Sequence, residues 1–451
     1  MAVNEEGKVL SITESVCPEC LSRLSATRIL SGNKVYLEKT CSVHGHFKTL
    51  LWQGAPEWQS WVRDKIPSRP PVCDTEADKG CPHDCGLCTD HRQHTCTALL
   101  EVTQRCNLNC AYCFASAGGS TVDPSLAEIQ KGLETIYKTS GACNLQLSGG
   151  EPTVRDDLPE IIALAGKIGF PFIQVNSNGL RLAKDKEYVQ KLRKAGLNSV
   201  FLQFDGTDDD IYTKLRGRKL LPIKIQAIKN CISNGIGVVL VPTVVPGVNT
   251  DNIGEMIQFA IENSPGVRGI HFQPVSYFGR FPQEPSDEDR ITLPQVMQAI
   301  EAQTEGLIKT DNLKPPGCEN ALCSFHGNFR ILPGGKIKAL STNSCCSGEK
   351  AYVGASKNRK FVSRQWNGIN LEVPSTKTNQ ESSNSWDNLL HELKTHSFTI
   401  SGMAFQDAWN LDLERLKDCC IHVMSPEGKL IPFCAYNLTS ADGTSLYRRP
   451  S

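Results

Sequence analysis

The sequence predicts an α/β fold, a (βα)6 partial barrel with cysteine-bearing segments on both sides. Two observations predict it. Six short apolar runs alternate with amphipathic helical stretches, and most of the 20 cysteines lie in groups at short spacings, all of them outside those runs. The runs are LLEVT (99–103), NLQLS (144–148), FIQVN (172–176), SVFLQF (199–204), GVVLVPT (237–243) and GIHFQPV (269–275). Near-continuous apolar strands suit a sheet buried on both faces, and successive strand–helix units imply parallel strands with right-handed crossovers. The intervening stretches, such as SLAEIQKGLETIYKT and YVQKLRKAG, carry apolar residues at helical spacing, and several end in Gly, a common helix stop.

A barrel of this kind takes roughly 200–250 residues, so a chain of 451 carries additional units. Residues 1–72 read as a rubredoxin- or zinc-ribbon-like N-terminal unit, closed by the Pro-rich joint PSRPPV. Residues 73–98 form a compact cysteine segment, 99–300 the barrel, and 301–451 a C-terminal cysteine-containing region. A polar stretch over 355–385 is expected to be a loop.

Lys+Arg and Asp+Glu both number 48, so no global field draws in a polyanion, and nucleic acid is not an expected partner. No run approaches the ~18 apolar residues of a membrane span, and the N-terminus has no secretory pattern. A cytoplasmic protein is expected. In that reducing compartment, cysteines at short spacings read as metal ligands rather than disulfides.

The loop after the first strand, TQRCNLNCAYCFASAG, holds Cys106, Cys110 and Cys113 as C-x3-C-x2-C. Three thiolates at this spacing hold three corners of a [4Fe–4S] cube and leave one iron open to an outside ligand. Tyr112 precedes the last of them. After the second strand comes SGGEP, where Gly149 and Gly150 allow close backbone approach and Glu151 offers a carboxylate to an ammonium. NSNG after the third strand offers Asn176 and Asn178, and FDG after the fourth offers Asp205. All four motifs fall at the C-terminal ends of strands, where barrel chemistry gathers.

The other cysteines fall into sets. Cys81, Cys85, Cys88 and Cys96 make a four-thiolate group, read as an auxiliary [4Fe–4S] cluster with structural zinc as the alternative. Cys17, Cys20 and Cys41 need a fourth ligand, either Cys73 or His44, with Cys73 preferred; iron favours four thiolates, whereas zinc accepts three and an imidazole. Cys318, Cys323, one of the adjacent Cys419 and Cys420, and Cys434 supply a second auxiliary cluster. Cys345 and Cys346 form a vicinal pair of redox or plain loop character. Cys143 and Cys231 read as core. His91 and His94 read as structural, and His326 and His422 as packing near the C-terminal cysteines or as partners of cluster sulfurs or substrate.

CPEC…CSVHG, GCPHDCGLCTDHRQHTC, EVTQRCNLNCAYCFA, QLSGGEPTVRDDLPEII, CENALCSFHG and LERLKDCCIHV…IPFC together resemble a multi-cluster radical S-adenosylmethionine (SAM) family. That family includes tetraether lipid synthase and the dihydropterin C-methylase. The likeness runs over nearly the whole chain, and TALLEVTQRCNL, FLQFDGTDD and HFQPVSYFGR bring it nearest to the bacterial radical SAM (seleno)protein TrsS subgroup.

The resemblance implies an enzyme that reductively cleaves SAM to a 5′-deoxyadenosyl radical and functionalises an sp3 carbon. It implies a SAM-binding [4Fe–4S] cluster, two auxiliary clusters, a mononuclear iron or zinc, and a reductant such as flavodoxin or ferredoxin. Joining lipid chain ends, methylating a small pterin, and sulfur or selenium chemistry are all compatible with the residues. A non-catalytic iron–sulfur electron carrier would explain the auxiliary cysteines but not SGGEP or NSNG.

Overall fold

The computed structural model describes residues 7–119, 122–340, 350–369 and 396–448. The vicinal pair at 345 and 346 and most of the expected 355–385 loop lie outside them. Within that loop, residues 355–366 are helical instead, as part of helix Ala351–Trp366. It buries Ala351, Gly354 and Ala355 at i, i+3 and i+4, a small-residue stripe that a count of polar residues conceals.

The N-terminal unit is an antiparallel meander: β1 (Lys8–Val16), β2 (Arg23–Ser31), β3 (Lys34–Cys41) and β4 (Gly45–Gln53), paired in that order. Its inner face is buried against the rest of the chain. Trp52 joins Trp58 and Trp61 in the main core, Lys39 Nζ donates to Ala408 O at 2.8 Å, and Thr13 Oγ1 donates to the buried Asp412 at 2.9 Å.

Six parallel strands then run in chain order across one sheet: β5 (Thr97–Thr103), β6 (Asn144–Gly149), β7 (Ile173–Ser177), β8 (Ser199–Gln203), β9 (Gly237–Val241) and β11 (Val267–Pro274). The short β10 (Thr243–Val244) also pairs with β11. All six expected strands are present. Every residue of β9, GVVLV, is buried, as a strand covered on both faces requires. Helix Leu126–Ser140 shows how a crossover is fixed locally. Ser125 and Glu128 form a reciprocal capping box, Ile129, Leu133 and Ile136 face the sheet, and Gly141 at φ 69° ends the helix.

The chain after residue 300 extends this same sheet at both edges. β12 (Ser324–Ile331) and β13 (Ile337–Ala339) are antiparallel, and β14 (Ser397–Met403) pairs in parallel with β11, Gly269 opposite Thr399. At the far edge, β15 (Ile421–Met424) lies parallel to β5, and β16 (Leu430–Pro432) closes it antiparallel. Gly269 is required by the first junction, because a Cβ there would sit 2.3 Å from Thr399 Oγ1. Helix Ala351–Trp366 crosses the N-terminal ends of the barrel strands, where Gly237 would clash with the Trp366 carbonyl if it carried a Cβ. The barrel is thereby closed at that end. No helix among the described residues is long and apolar enough to cross a membrane.

Candidate active site and metal centres

The cysteine loop leaves β5 at Thr103 and is held by backbone contacts on two sides. The SGGEP turn packs directly on it: Gly150 N donates to Thr103 O at 2.8 Å, and Glu151 N to Arg105 O at 2.9 Å. A Cβ on Gly149, at φ 128°, would lie 2.0 Å from Thr103 O, and one on Gly150 2.2 Å from Arg105 O. The two glycines are thus needed to seat the cysteine loop. On the other side, Cys113 and Arg280 exchange backbone hydrogen bonds of 2.9 and 3.0 Å, and Arg280 Nε donates to Cys110 O at 2.9 Å.

Cys106, Cys110 and Cys113 all line one cavity of about 280 Å3 inside the barrel, together with Tyr112, Gly149, Gly150, Glu151, Asn176 and Asn178. Burial pushes the Cys106 thiol up to about 11, so an electropositive metal is needed to hold it as thiolate at neutral pH. The Glu151 carboxylate is buried and accepts from Thr153 N, Thr153 Oγ1, Ser177 Oγ and Asn178 N at 3.1, 2.6, 2.8 and 2.6 Å. It ties the SGGEP turn to the NSNG turn. Desolvation raises its pKa despite these donors. Asn178 donates to Asn107 Oδ1 at 2.7 Å, joining NSNG to the cysteine loop. Asn176 Oδ1 is buried without a partner on the cavity wall, a polar atom that calls for a ligand.

Asp205 departs from the expectation. It is fully buried, does not line the cavity, and is held by Arg216 through bonds of 2.8 and 2.7 Å. The residue that reaches the cavity is Arg216, its pKa raised beside Asp205 and Cys110. Asp205 therefore acts one step back. The FDG motif points to the strand end, but Arg216, 11 residues on and one of two arginines in KLRGRK, carries no local sign of burial. Lys224 was equally silent in sequence: it is buried, donates to Asn178 O at 2.6 Å, and is lowered to about 8 by desolvation.

The barrel segment, residues 100–260, matches the Radical SAM superfamily model. Residues 9–53 match the HMPTM N-terminal zinc ribbon domain. The 7,8-dihydro-6-hydroxymethylpterin dimethyltransferase of Methanocaldococcus jannaschii is 36% identical over 94% of this chain and 93% of its own length. This chain belongs to the radical SAM superfamily, in that dimethyltransferase's family. A probable GTP 3′,8-cyclase of Methanothermobacter thermautotrophicus is 32% identical over 38% of this chain and 56% of its own length. Among solved structures, Streptococcus suis SuiB bound to precursor peptide SuiA aligns with 48% of this chain and 47% of its own, at 15% identity and a TM-score of 0.41.

As a radical SAM enzyme the protein uses a [4Fe–4S] cluster and SAM, and the cavity suits them. Its wall carries three thiols with no fourth cysteine among the described residues, a Gly–Gly turn and an unsatisfied amide oxygen.

The remaining cysteines fall into groups that differ from those expected. Cys17, Cys20, Cys41 and His44 bring their ligand atoms within 4.8 Å of one another, with His44 Nδ1 3.5 Å from both Cys17 Sγ and Cys41 Sγ. Cys73 is not in that group; its thiol donates to the Cys88 carbonyl at 3.4 Å. His44 thus replaces Cys73 as the fourth ligand candidate. The tight β3–β4 turn presents Cys41 and His44 together, whereas Cys73 lies beyond the Pro-rich joint. The amides of Val43 and His44 and the His44 ring hold the Cys41 thiol down at about 6, so it is readily deprotonated for a metal.

Cys96 is also displaced from its expected set. Its sulfur meets those of Cys318 and Cys420, all three buried, while Cys81 and Cys85 stay beside each other. The Cys96 and Cys318 Cα atoms are 7.8 Å apart, wider than disulfide-bonded pairs usually stand, and a third thiol converges on them, as ligands around one metal centre do. The parallel pairing of β15 with β5, Ile421 opposite Thr97, brings Cys420 to Cys96. Cys419 feels the charge of Cys323, Cys434 feels both of them, and Cys420, though its sulfur converges on Cys96 and Cys318, feels them too. His422 and His91 meet at 3.2 Å in the core, where burial depresses His91 to about 4.

Proposed function

We propose that this radical SAM enzyme methylates a carbon of a small, flat, polar heterocycle of the pterin class. The polar lining of the cavity carries the reading. The cavity is closed at its inner end by Trp366 and lined by the amides of Gln146, Asn176, Gln203 and Gln273 among apolar side chains. Rings with a few placed amides suit a flat polar heterocycle, whereas a hydrocarbon chain would leave those amides without partners. The family relative that methylates a dihydropterin, alike over nearly the full length, supports the same substrate class.

In this reading Cys106, Cys110 and Cys113 hold the SAM-binding [4Fe–4S] cluster, and Tyr112, Gly149, Gly150, Asn176 and Asn178 receive SAM. When bound, the reduced cluster and SAM together supply a primary carbon radical able to take hydrogen from an unactivated carbon. Glu151 locks the two SAM-facing turns to each other, Arg216 sets a fixed positive charge beside Cys110, and the closed floor keeps water from the reacting carbon. Cys17, Cys20, Cys41 and His44 would hold a zinc ion, which accepts three thiolates and an imidazole. Auxiliary clusters draw on Cys81, Cys85 and Cys88, on Cys96, Cys318 and Cys420, and on Cys323, Cys419 and Cys434. Flavodoxin or ferredoxin supplies electrons, in the cytoplasm.

The test is anaerobic reconstitution with dithionite or flavodoxin, 7,8-dihydro-6-hydroxymethylpterin, SAM as the radical source and, in separate arms, excess SAM or a reduced methylene-pterin as the one-carbon donor. Formation of 5′-deoxyadenosine with a pterin heavier by one or two methyl groups is expected. A reconstituted protein that never forms 5′-deoxyadenosine would sink the radical reading. One that forms it but leaves the pterin mass unchanged would sink the substrate class.

A further inference from the structure

Two of the three rings on the cavity floor, His271 and Trp366, lie outside the 100–260 segment that matches the superfamily model, and the third, Phe201 of β8, lies within it. Three rings meet there. His271 of β11 lies 5.3 Å from Phe201 and 6.2 Å from Trp366, and Phe201 lies 5.6 Å from Trp366. Two of the rings are fixed by hydroxyls on one face of β14: Ser401 Oγ meets His271 Nδ1 at 2.8 Å, and Trp366 Nε1 donates to Thr399 Oγ1 at 3.2 Å.

Those bonds consume one nitrogen of the His271 ring and the single N–H of the Trp366 indole. His271 Nε2 remains the uncommitted polar atom of a ring that lines the cavity. The Ser401 hydroxyl serves either tautomer and fixes the ring's orientation, so Nε2 offers one hydrogen bond inward, as donor or as acceptor. Barrel interiors are ordinarily filled by layers of branched apolar side chains, so an imidazole held this way against two larger rings has a cost that a ligand contact offsets. Burial keeps the ring neutral, at about 4.

We infer that His271, oriented by Ser401 and walled by Phe201 and Trp366, is the specificity-determining residue that binds the polar edge of a flat heteroaromatic substrate at the barrel floor. The inference rests on the pterin-class reading and adds to it the residue and the edge that are read. It also gives a reason why barrels alike over β5–β9 can serve different substrates: the reading residues belong to β11, β14 and the helix that closes the floor.

Equilibrium dialysis under anaerobic conditions tests it on the full, reconstituted protein with two probes. One is 7,8-dihydro-6-hydroxymethylpterin; the other is 2-naphthalenemethanol, a flat bicycle of similar size without the polar edge. The wild type is expected to prefer the pterin. His271→Ala should weaken pterin binding at least tenfold and leave the naphthalene within about twofold. His271→Gln, which keeps a neutral hydrogen-bonding group, should recover most of the loss, and Ser401→Ala should weaken the pterin about threefold. Iron content and unfolding midpoint are measured on each variant to show that it is folded. If His271→Ala binds both probes as the wild type does, or loses both in equal proportion, the inference is overturned while the substrate reading stands. If the wild type shows no preference for the pterin, the substrate reading falls and takes the inference with it.

Discussion

Arg216 and Asp205 form a two-bond ion pair in which Asp205 is fully buried and Arg216 nearly so, at the edge of the cavity beside Cys110. A buried pair of this kind adds little net stability, but breaking it leaves a charge with no partner and costs about 3–5 kcal/mol. Asp205→Asn is therefore expected to lower the unfolding free energy by that order in a chemical denaturation series. Arg216→Met should cost a similar amount and, by removing the charge beside Cys110, shift the potential of the SAM-binding cluster downward in a redox titration followed by EPR.

Gly149 and Gly150 press the SGGEP turn onto the cysteine loop at distances that admit no Cβ. Gly150→Ala is expected to unseat the loop. The measurement is iron per chain after anaerobic reconstitution, where a loss of about four irons is expected, as for the triple Cys106→Ala, Cys110→Ala, Cys113→Ala variant. An unchanged iron count in the triple variant would refute the ligand assignment.

His44 stands where a fourth ligand is needed and Cys73 does not. His44→Ala should release the metal of the N-terminal unit, read as the loss of about one zinc per chain by elemental analysis. Cys73→Ala should retain it. Retention by His44→Ala with loss in Cys73→Ala would reverse the assignment.

The depressed His271 also makes a pH prediction. Its ordinary value is 6.5 and its folded value about 4, so the unfolded chain takes up a proton that the folded one refuses. The stability tied to the neutral ring is complete above 6.5 and declines as pH falls toward 4. Between pH 7.5 and 5 the stability gap between wild type and His271→Gln should shrink by about 2 kcal/mol. A gap that stays constant over that range would show that the ring titrates normally.

How much of this was legible beforehand depended on whether the determining contacts are local in sequence. The six barrel strands were readable because parallel strands buried on both faces write themselves as continuous apolar runs. The C-x3-C-x2-C loop and SGGEP were readable because their geometry is set within a few residues. Cys96 was misgrouped because its partners, Cys318 and Cys420, reach it only through the pairing of β15 with β5 at the sheet edge. FDG suggests a carboxylate at the barrel mouth, but the pairing that buries Asp205 and leaves Arg216 on the cavity wall is made across 11 residues and has no local mark in the sequence. His271 sat inside an apolar run and gave no sign that Ser401, 130 residues later, would turn one ring nitrogen away from the cavity.

Arg280 fastens Cys113 by paired backbone bonds, and Gly279 beside it donates to Thr439 Oγ1 at 2.8 Å. The socket for Cys113 is thus shared between distant stretches of the chain: Thr439 steadies the 279–280 segment, and that segment in turn steadies the cysteine loop.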